Sequence, residues 1–391
     1  MLPLRNMPNI VVRPFEERDR EGFNNVRSMT YRNGKVVPDQ ENLLATDAAG
    51  YVGEVDGAVV GAFTVLDMTA TRGEATLRCG GVCSVGVPPE HRRAGVGGAM
   101  MTDGLRLMKE AGYALASLYA YREPYYRKFG YECCGTAYEV RCPMDQLPKV
   151  RSSLQIAQLP PERFESIRPV YREFAHRHSG MNTREHERFW PDARAEQPWT
   201  VYVAGDPIEA YVVVRLDSAF WVEQRVRELI WLTPAGYDAM LELFRGIAIN
   251  QAAVRWDEPS NSPLAAAYMD YGVELKLCKP VMYRVLDVRS ALEALRPNGS
   301  GAFRLGLDDA LMPDNVGPWL VEYADGAVSV QRDAGPADLE MDVRRFAQAL
   351  LGAPSLGDLL CLGYASARTP EGADAALRLL PPSHTTCLES F

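Results

Sequence analysis

The residues with the most evident chemistry lie in one loop. Arg92-Arg93-Ala94-Gly95-Val96-Gly97-Gly98 sets a basic pair and three glycines between a short apolar strand and a run with helical spacing. A helix start presents unpaired N–H groups and a partial positive charge. Glycines there let the backbone come close to a phosphate, and the two arginines add charge. The chemistry is a grip on a pyrophosphate; the competing reading is a glycine-rich turn with no ligand. The G-x-G-G spacing lacks the G-x-G-x-x-G of a dinucleotide loop, and no acidic residue ends the next strand, Ala114 to Tyr119. No Gly-Lys-Ser/Thr follows, which excludes a P-loop.

The thiols offer less. Of the eight cysteines, Cys79 and Cys83 have the spacing of a metal pair, but no second Cys or His pair matches them, so no metal is expected. His91 beside the loop reads as exposed and not catalytic.

Positioning the loop requires an α/β frame. Ile10–Pro14 alternates like a strand and Glu17–Met29 has helical spacing. Tyr51–Val55 and Ala58–Leu66 form a hairpin on Asp56-Gly57, and Val82–Val87 is a further strand. Gly98–Lys109 reads as a helix with Met101, Leu105 and Met108 on one face, ended by Gly112. The middle repeats this order: strand Leu154–Ala157, helix Pro161–His176, strands Thr200–Val203, Ile208–Arg215 and Val226–Trp231, helix Ala235–Phe244, strand Ala252–Trp256. Where the first copy has PPEHRRAGVGGAM the second has LTPAGYDAM, so one active site per chain is expected, in the first copy. The last hundred residues change character, with strands at Phe303–Leu307, Trp319–Tyr323 and Ala327–Val330 and helices at Phe346–Leu351 and Leu356–Ala365. The expected fold class is α/β with mixed sheets, and the expected units are 1–147, 148–286 and 287–391.

Composition bounds the function. The chain has 391 residues, 47% hydrophobic and 24% charged, as in soluble globular proteins. A net charge of −9 argues against a nucleic-acid partner and suits a cationic substrate. No apolar run approaches the length of a membrane span. The opening MLPLRNMPNIVV lacks the apolar core of a signal peptide, so a cytoplasmic address is expected.

The whole stretch VGVPPEHRRAGVGGAM resembles the acetyl-CoA loop of the GNAT superfamily of N-acetyltransferases: a V-x-V-x-P strand end, then R/Q-x-x-G-x-G/A opening a helix. Arg92, Gly95 and Gly97 fall on the three signature positions. The resemblance implies that the backbone of Val85, Gly86 and Val87 holds the pantetheine arm and turns an N–H toward the acetyl carbonyl. It assigns the pyrophosphate to the amides from Arg92 through Arg93, Ala94, Gly95, Val96 and Gly97 to Gly98, with further coenzyme contacts at Tyr121 and Arg122. Downstream, YYRKFGYE resembles the Y-x-[KR]-[FY]-G-[FY] run that closes the acetyltransferase core. On that match Tyr126 sits beside the coenzyme sulfur. A phenol is close enough in pKa to a thiol to protonate the leaving thiolate.

The full layout is similar to the enhanced-intracellular-survival (Eis-like) acetyltransferases: an intact acetyltransferase unit, a second without its loop, and a third resembling a sterol carrier protein. LGLDDALMPDNVGPWLVEY and DVRRFAQALLGAPSLGDLLCLGYA carry the likeness in the third unit. The resemblance implies acetyl-CoA as co-substrate, a primary-amine acceptor (aminoglycoside, polyamine or lysine-type) and a homo-oligomer, a hexamer in that family. It also implies that the terminal carboxylate, here on Phe391, is the general base, with His384 and Glu389 as alternatives. Asp39, Glu41 and Glu123 are candidates for drawing a cation toward the site. The competing function is a non-catalytic protein that keeps the core to sense coenzyme A or to bind a lipid or partner.

Overall fold

The hairpin turn at Asp56 and Gly57 forms with both residues at left-handed φ, 49° and 82°, and Asp325 and Gly326 make a second such turn at 52° and 77°. In the computed structural model these local turns sit in three mixed sheets. The structure describes residues 9–35, 44, 47–191, 199–216, 219–270, 272–278 and 281–389.

The first sheet contains β1 (Val11–Pro14), β2 (Ala48–Val55), β3 (Ala58–Arg72), β4 (Ala75–Gly86), β5 (Leu115–Leu118) and β6 (Glu132–Cys133). The second contains β7 (Ala137–Pro143), β8 (Ile156–Leu159), β9 (Thr200–Ala204), β10 (Ala210–Val214), β11 (Glu223–Trp231), β12 (Ala253–Pro259) and β13 (Glu274–Leu277). A further strand, β14 (Met282–Val285), crosses back and enters the first sheet between β5 and β6. The strand orders are β1-β2-β3-β4-β5-β14-β6 and β8-β9-β10-β11-β12-β7-β13. The two sheets therefore have the same plan, and each takes its sixth strand from the other half of the chain. The expected boundaries at 147 and 286 each leave one strand, β7 or β14, in the neighbouring unit's sheet.

Helices cover these sheets. In the first unit α1 spans Arg20–Tyr31, α2 Val96–Glu110 and the short α3 Glu123–Arg127; in the second α4 spans Arg168–His176 and α5 Pro234–Ile247. α2 begins two residues earlier than its glycines suggested, because Gly95, at φ 88°, turns the chain into the helix and frees Val96 to start it. Met100, Met101, Leu105 and Met108 form its buried face. Its approach to the sheet is close: a Cβ on Gly104 would lie 2.6 Å from Phe63.

The third unit holds α6 (Val288–Glu293), β15 (Gly301–Asp308), β16 (Trp319–Ala324), β17 (Ala327–Arg332), β18 (Leu339–Asp342), α7 (Val343–Leu351), α8 (Leu356–Cys361), β19 (Ala365–Ala367) and α9 (Pro370–Leu379). The helix expected over Leu356–Ala365 is shorter. It stops at Cys361, Gly363 turns the chain at φ 72°, and Ala365 opens a strand that pairs with β18. One apolar core joins Leu77, Cys79 and Leu115 of the first sheet to Phe303, Phe346 and Leu350 of the third unit.

Candidate active site

β4 and β5 run parallel and pair only over Cys79–Gly81 against Leu115–Ser117. Beyond that the strands part. Continuing the register, Cys83 stands level with Tyr119 across the opening, and Val85 with Tyr121. A shift in the β3–β4 register between Ala62 and Thr64 and a left-handed Ser84 (φ 53°) bend β4 at this level. The result is a cleft whose wall on one side is the backbone of Val85, Gly86 and Val87.

At the mouth of this cleft, Pro89–His91 makes a short 3-10 turn, and Arg93 (φ 63°) and Gly95 (φ 88°) both take left-handed φ. Such a conformation costs a non-glycine residue about 1–2 kcal/mol, so the strain is concentrated at Arg93. The reversal aims the start of α2 at the cleft. Among the described residues the amides of Arg93 to Gly98 make no hydrogen bond, and no side chain caps the helix. Arg92 folds back, its Nε donating to the Val87 carbonyl at 2.9 Å. Arg93 is exposed and makes no ion pair among the described residues. This helix start, with free donors and an exposed cation, has the arrangement that suits an anion.

The second unit supplies a control within the same chain. At the start of α5 the Thr233 side chain accepts from the Gly236 amide, and its hydroxyl donates to Glu209 at 2.6 Å. Pro234 removes a further donor, and a Cβ on Gly236 would lie 2.9 Å from the Glu209 carbonyl. That helix start is capped and filled.

Tyr126 lies on α3, 7% exposed, edge-on to Tyr125 and Tyr131 at 5.1 and 6.2 Å between ring centroids. Its hydroxyl makes no hydrogen bond among the described residues. Burial pushes its pKa well above the ordinary phenol value, and the nearby hydroxyls of Tyr31, Tyr125 and Tyr121 push the same way. Tyr121 is 76% exposed, with Arg122 beside it at the start of α3. Tyr31, at the end of α1, was not foreseen: its hydroxyl donates to the Val85 carbonyl at 2.6 Å. It falls two residues past the expected helix end, and nothing local in the sequence marks it. Cys83, the thiol nearest the cleft, is pushed up to about 11 by burial. All eight cysteines are free, and no group of three His, Cys, Asp or Glu among the described residues is arranged to hold a metal.

The other candidates are placed as follows. Phe391, Asp39 and Glu41 lie outside the described residues. His91 is half-buried rather than exposed. His384 faces Ser260, Nδ1 to Oγ 3.0 Å, and Glu389 is buried against Arg184 at 2.6 Å. Glu123 is half-buried at the start of α3. Behind the root of the cleft, between the two units, is a cavity of about 380 Å³ lined by Tyr119, Thr136, Asp257, Thr386, Cys387 and Glu389 among others. The Thr386 hydroxyl in it is buried without a partner among the described residues.

Residues 11–134 and 180–285 each match a family described as acetyltransferase (GNAT) domain, and 288–388 match a sterol carrier protein domain. The molecule is thus a GNAT-superfamily N-acetyltransferase with tandem units and a sterol-carrier-protein-like third domain. An uncharacterized N-acetyltransferase of Streptomyces coelicolor is 26% identical over 350 residues, 82% of this chain and 84% of that protein. The N-acetyltransferase Eis of Mycobacterium tuberculosis is 34% identical over 106 residues, 27% of this chain and 25% of that protein. The crystal structure of a GCN5-related N-acetyltransferase from Anabaena variabilis superposes with a TM-score of 0.87 at 18% identity, over 98% of this chain and all of that one. That of Eis1 from Mycobacterium abscessus gives 0.77 at 21%, with coverage of 98% and 100%. The order of two GNAT units followed by a sterol carrier protein domain, and the fold over nearly the whole chain, are similar to those of Eis1.

Proposed function

We propose that the first unit transfers the acetyl group of acetyl-CoA to a primary amine by direct attack, with Tyr126 as general acid and the terminal carboxylate of Phe391 as general base. The observation that carries this reading is the uncapped start of α2, with its free amides, opening on the β4–β5 cleft beside Tyr126. The amides of Arg93 to Gly98 fit a pyrophosphate, and the splayed end of β4 fits the extended arm that follows it.

The amine nitrogen, its proton taken by the terminal carboxylate, attacks the thioester carbonyl. The C–N bond forms and the C–S bond breaks. A backbone N–H of β4 is the natural donor to the oxyanion, a contribution of about 3 kcal/mol. The departing thiolate takes the Tyr126 proton, and the proton held by the carboxylate restores the phenol. Direct attack is favoured over an acetyl-cysteine intermediate because Cys83, at about 11, stays a thiol at neutral pH. The acceptor class rests on the family resemblance.

Thiol release from acetyl-CoA with a panel of polyamines and aminoglycosides tests the reading. Amine-dependent release, reduced about a hundredfold or more in Tyr126→Phe, supports it. Binding of coenzyme A with no turnover on any amine would favour the non-catalytic alternative.

A further inference from the structure

The last described residues do not run over the surface. Thr385 bridges to Ser179, the Thr386 amide donates to the Ser179 carbonyl at 2.9 Å, and the Tyr119 hydroxyl to the Cys387 carbonyl at 3.3 Å. Leu388 packs into the core of the second unit. The segment is thus threaded between the two acetyltransferase units and ends on Glu389, 4% exposed.

Glu389 meets a receptor built entirely by the second unit and its lead-in. Arg184 Nε donates to Glu389 Oε1 at 2.6 Å, and its two terminal nitrogens grip Glu228. The Tyr171 hydroxyl also reaches Glu389 Oε1, at 3.1 Å, and the Tyr171 ring lies 3.9 Å below the guanidinium. The Tyr211 hydroxyl donates to Glu228 at 2.6 Å, and the Trp190 indole N–H holds the Arg184 carbonyl at 3.0 Å. Arg184 itself sits at φ 59°, a left-handed position an arginine rarely takes.

One guanidinium shared by two buried carboxylates is a poor device for stability, since apolar residues of the same shape often do as well. Its best-attested use is to fix register. The sequence supports that use here: from Leu380 to Phe391, Glu389 is the only acidic residue. A tail slipped by one position would leave Arg184 facing Leu388 or Ser390. The unit that does this is also the one whose own helix start is capped and filled.

We propose that the second acetyltransferase unit serves as the receptor for the C-terminal tail, and that Arg184, through Glu389, is a positioning residue that sets where the chain's last residues lie. This rests on the reading of the Phe391 carboxylate as base.

The test uses the full chain with Glu389→Gln, which keeps the shape and removes the charge. Hydrogen exchange in residues 385–391 is expected to speed up at least tenfold, with exchange in α2 and β4 unchanged. In steady state kcat is expected to fall at least tenfold while KM for acetyl-CoA stays within twofold; a general loss of fold would move both. Arg184→Lys is expected to give a smaller change of the same kind. If Arg184→Lys proves insoluble, Glu389→Gln decides alone. Unchanged tail exchange and kcat in Glu389→Gln overturn the proposal. A chain extended past Phe391 separates the two claims: if extension abolishes turnover while Glu389→Gln is silent, the clamp is wrong and the base reading stands. If the extended chain is fully active, the base reading is wrong whatever Glu389 does.

Discussion

The Tyr31 hydroxyl donates to the Val85 carbonyl at 2.6 Å, tying the last turn of α1 to the strand end that lines the cleft. The bond holds β4 splayed just where the thioester is proposed to lie. Tyr31→Phe removes a hydrogen bond worth about 1 kcal/mol. The expected effect is a fall in kcat/KM for acetyl-CoA of about fivefold, with the melting temperature little changed. Steady-state kinetics and thermal melts on the same preparation check both.

Tyr126 carries the next expectation. Its phenol is held above the ordinary value of about 10, so it keeps its proton through neutral and mildly alkaline pH. The rate should show no descending limb assignable to this residue below pH of about 10. A limb lying lower that disappears in Tyr126→Phe contradicts the raised value, and a rate unchanged in Tyr126→Phe contradicts the assignment of the acid.

Arg284 and Asp309 explain a glycine in the YYRKFGYE run. Arg284, fully buried on β14, makes two bonds to Asp309 of the third unit, at 2.7 and 2.6 Å, and donates to the Phe129 carbonyl at 2.9 Å. A Cβ on Gly130 would lie 2.6 Å from its Nε, and Gly130 is at φ 81°. Asp309→Asn, which leaves a buried cation without its counter-charge, should cost about 3–5 kcal/mol in denaturant unfolding. Gly130→Ala should destabilise by both strain and contact. Thermal melts that match the parent for both variants would show that the link is not needed.

Glu258 gives a stability signature. Buried, and bonded by the Tyr237 hydroxyl at 2.5 Å and the Trp256 indole at 2.6 Å, it is pushed up to about 7 by burial. Its folded value lies above the unfolded one, so the folded state binds more protons between pH about 4.5 and 7. Stability from this group is full below that window and lost as pH rises through it, by at most about 3 kcal/mol. Glu258→Gln should melt higher than the parent at pH 8 and no higher near pH 4.5. Equal melting temperatures at both pH values would contradict the shift.

Legibility in the sequence followed the range of the interactions. The turns at Asp56-Gly57 and Asp325-Gly326, the α2 face and the glycine loop before α2 are set by residues within a few positions of one another, and the fold class, tandem units and superfamily came through them. The strand exchange did not. β14 is only four residues long and its partners lie in the other half of the chain. The Arg184–Glu389 contact spans 205 positions, and Glu389 entered the sequence reading only as a lesser candidate for the base. Arg284, in an apolar strand, has no local pattern that would mark its partner.

Gly98 offers the most direct test of the loop. A Cβ there meets nothing within 4 Å, and an acidic residue in the first helical turn stabilises a helix by about 0.3–1 kcal/mol. Gly98→Asp should therefore fold at least as stably as the parent. Beside the free amides of Arg93 to Gly98, however, its carboxylate repels a pyrophosphate and competes for the same donors. In a calorimetric titration with coenzyme A, the expected result is a Kd raised tenfold or more with the melting temperature kept or raised. Binding of coenzyme A to Gly98→Asp as tight as to the parent would contradict the assignment of that helix start.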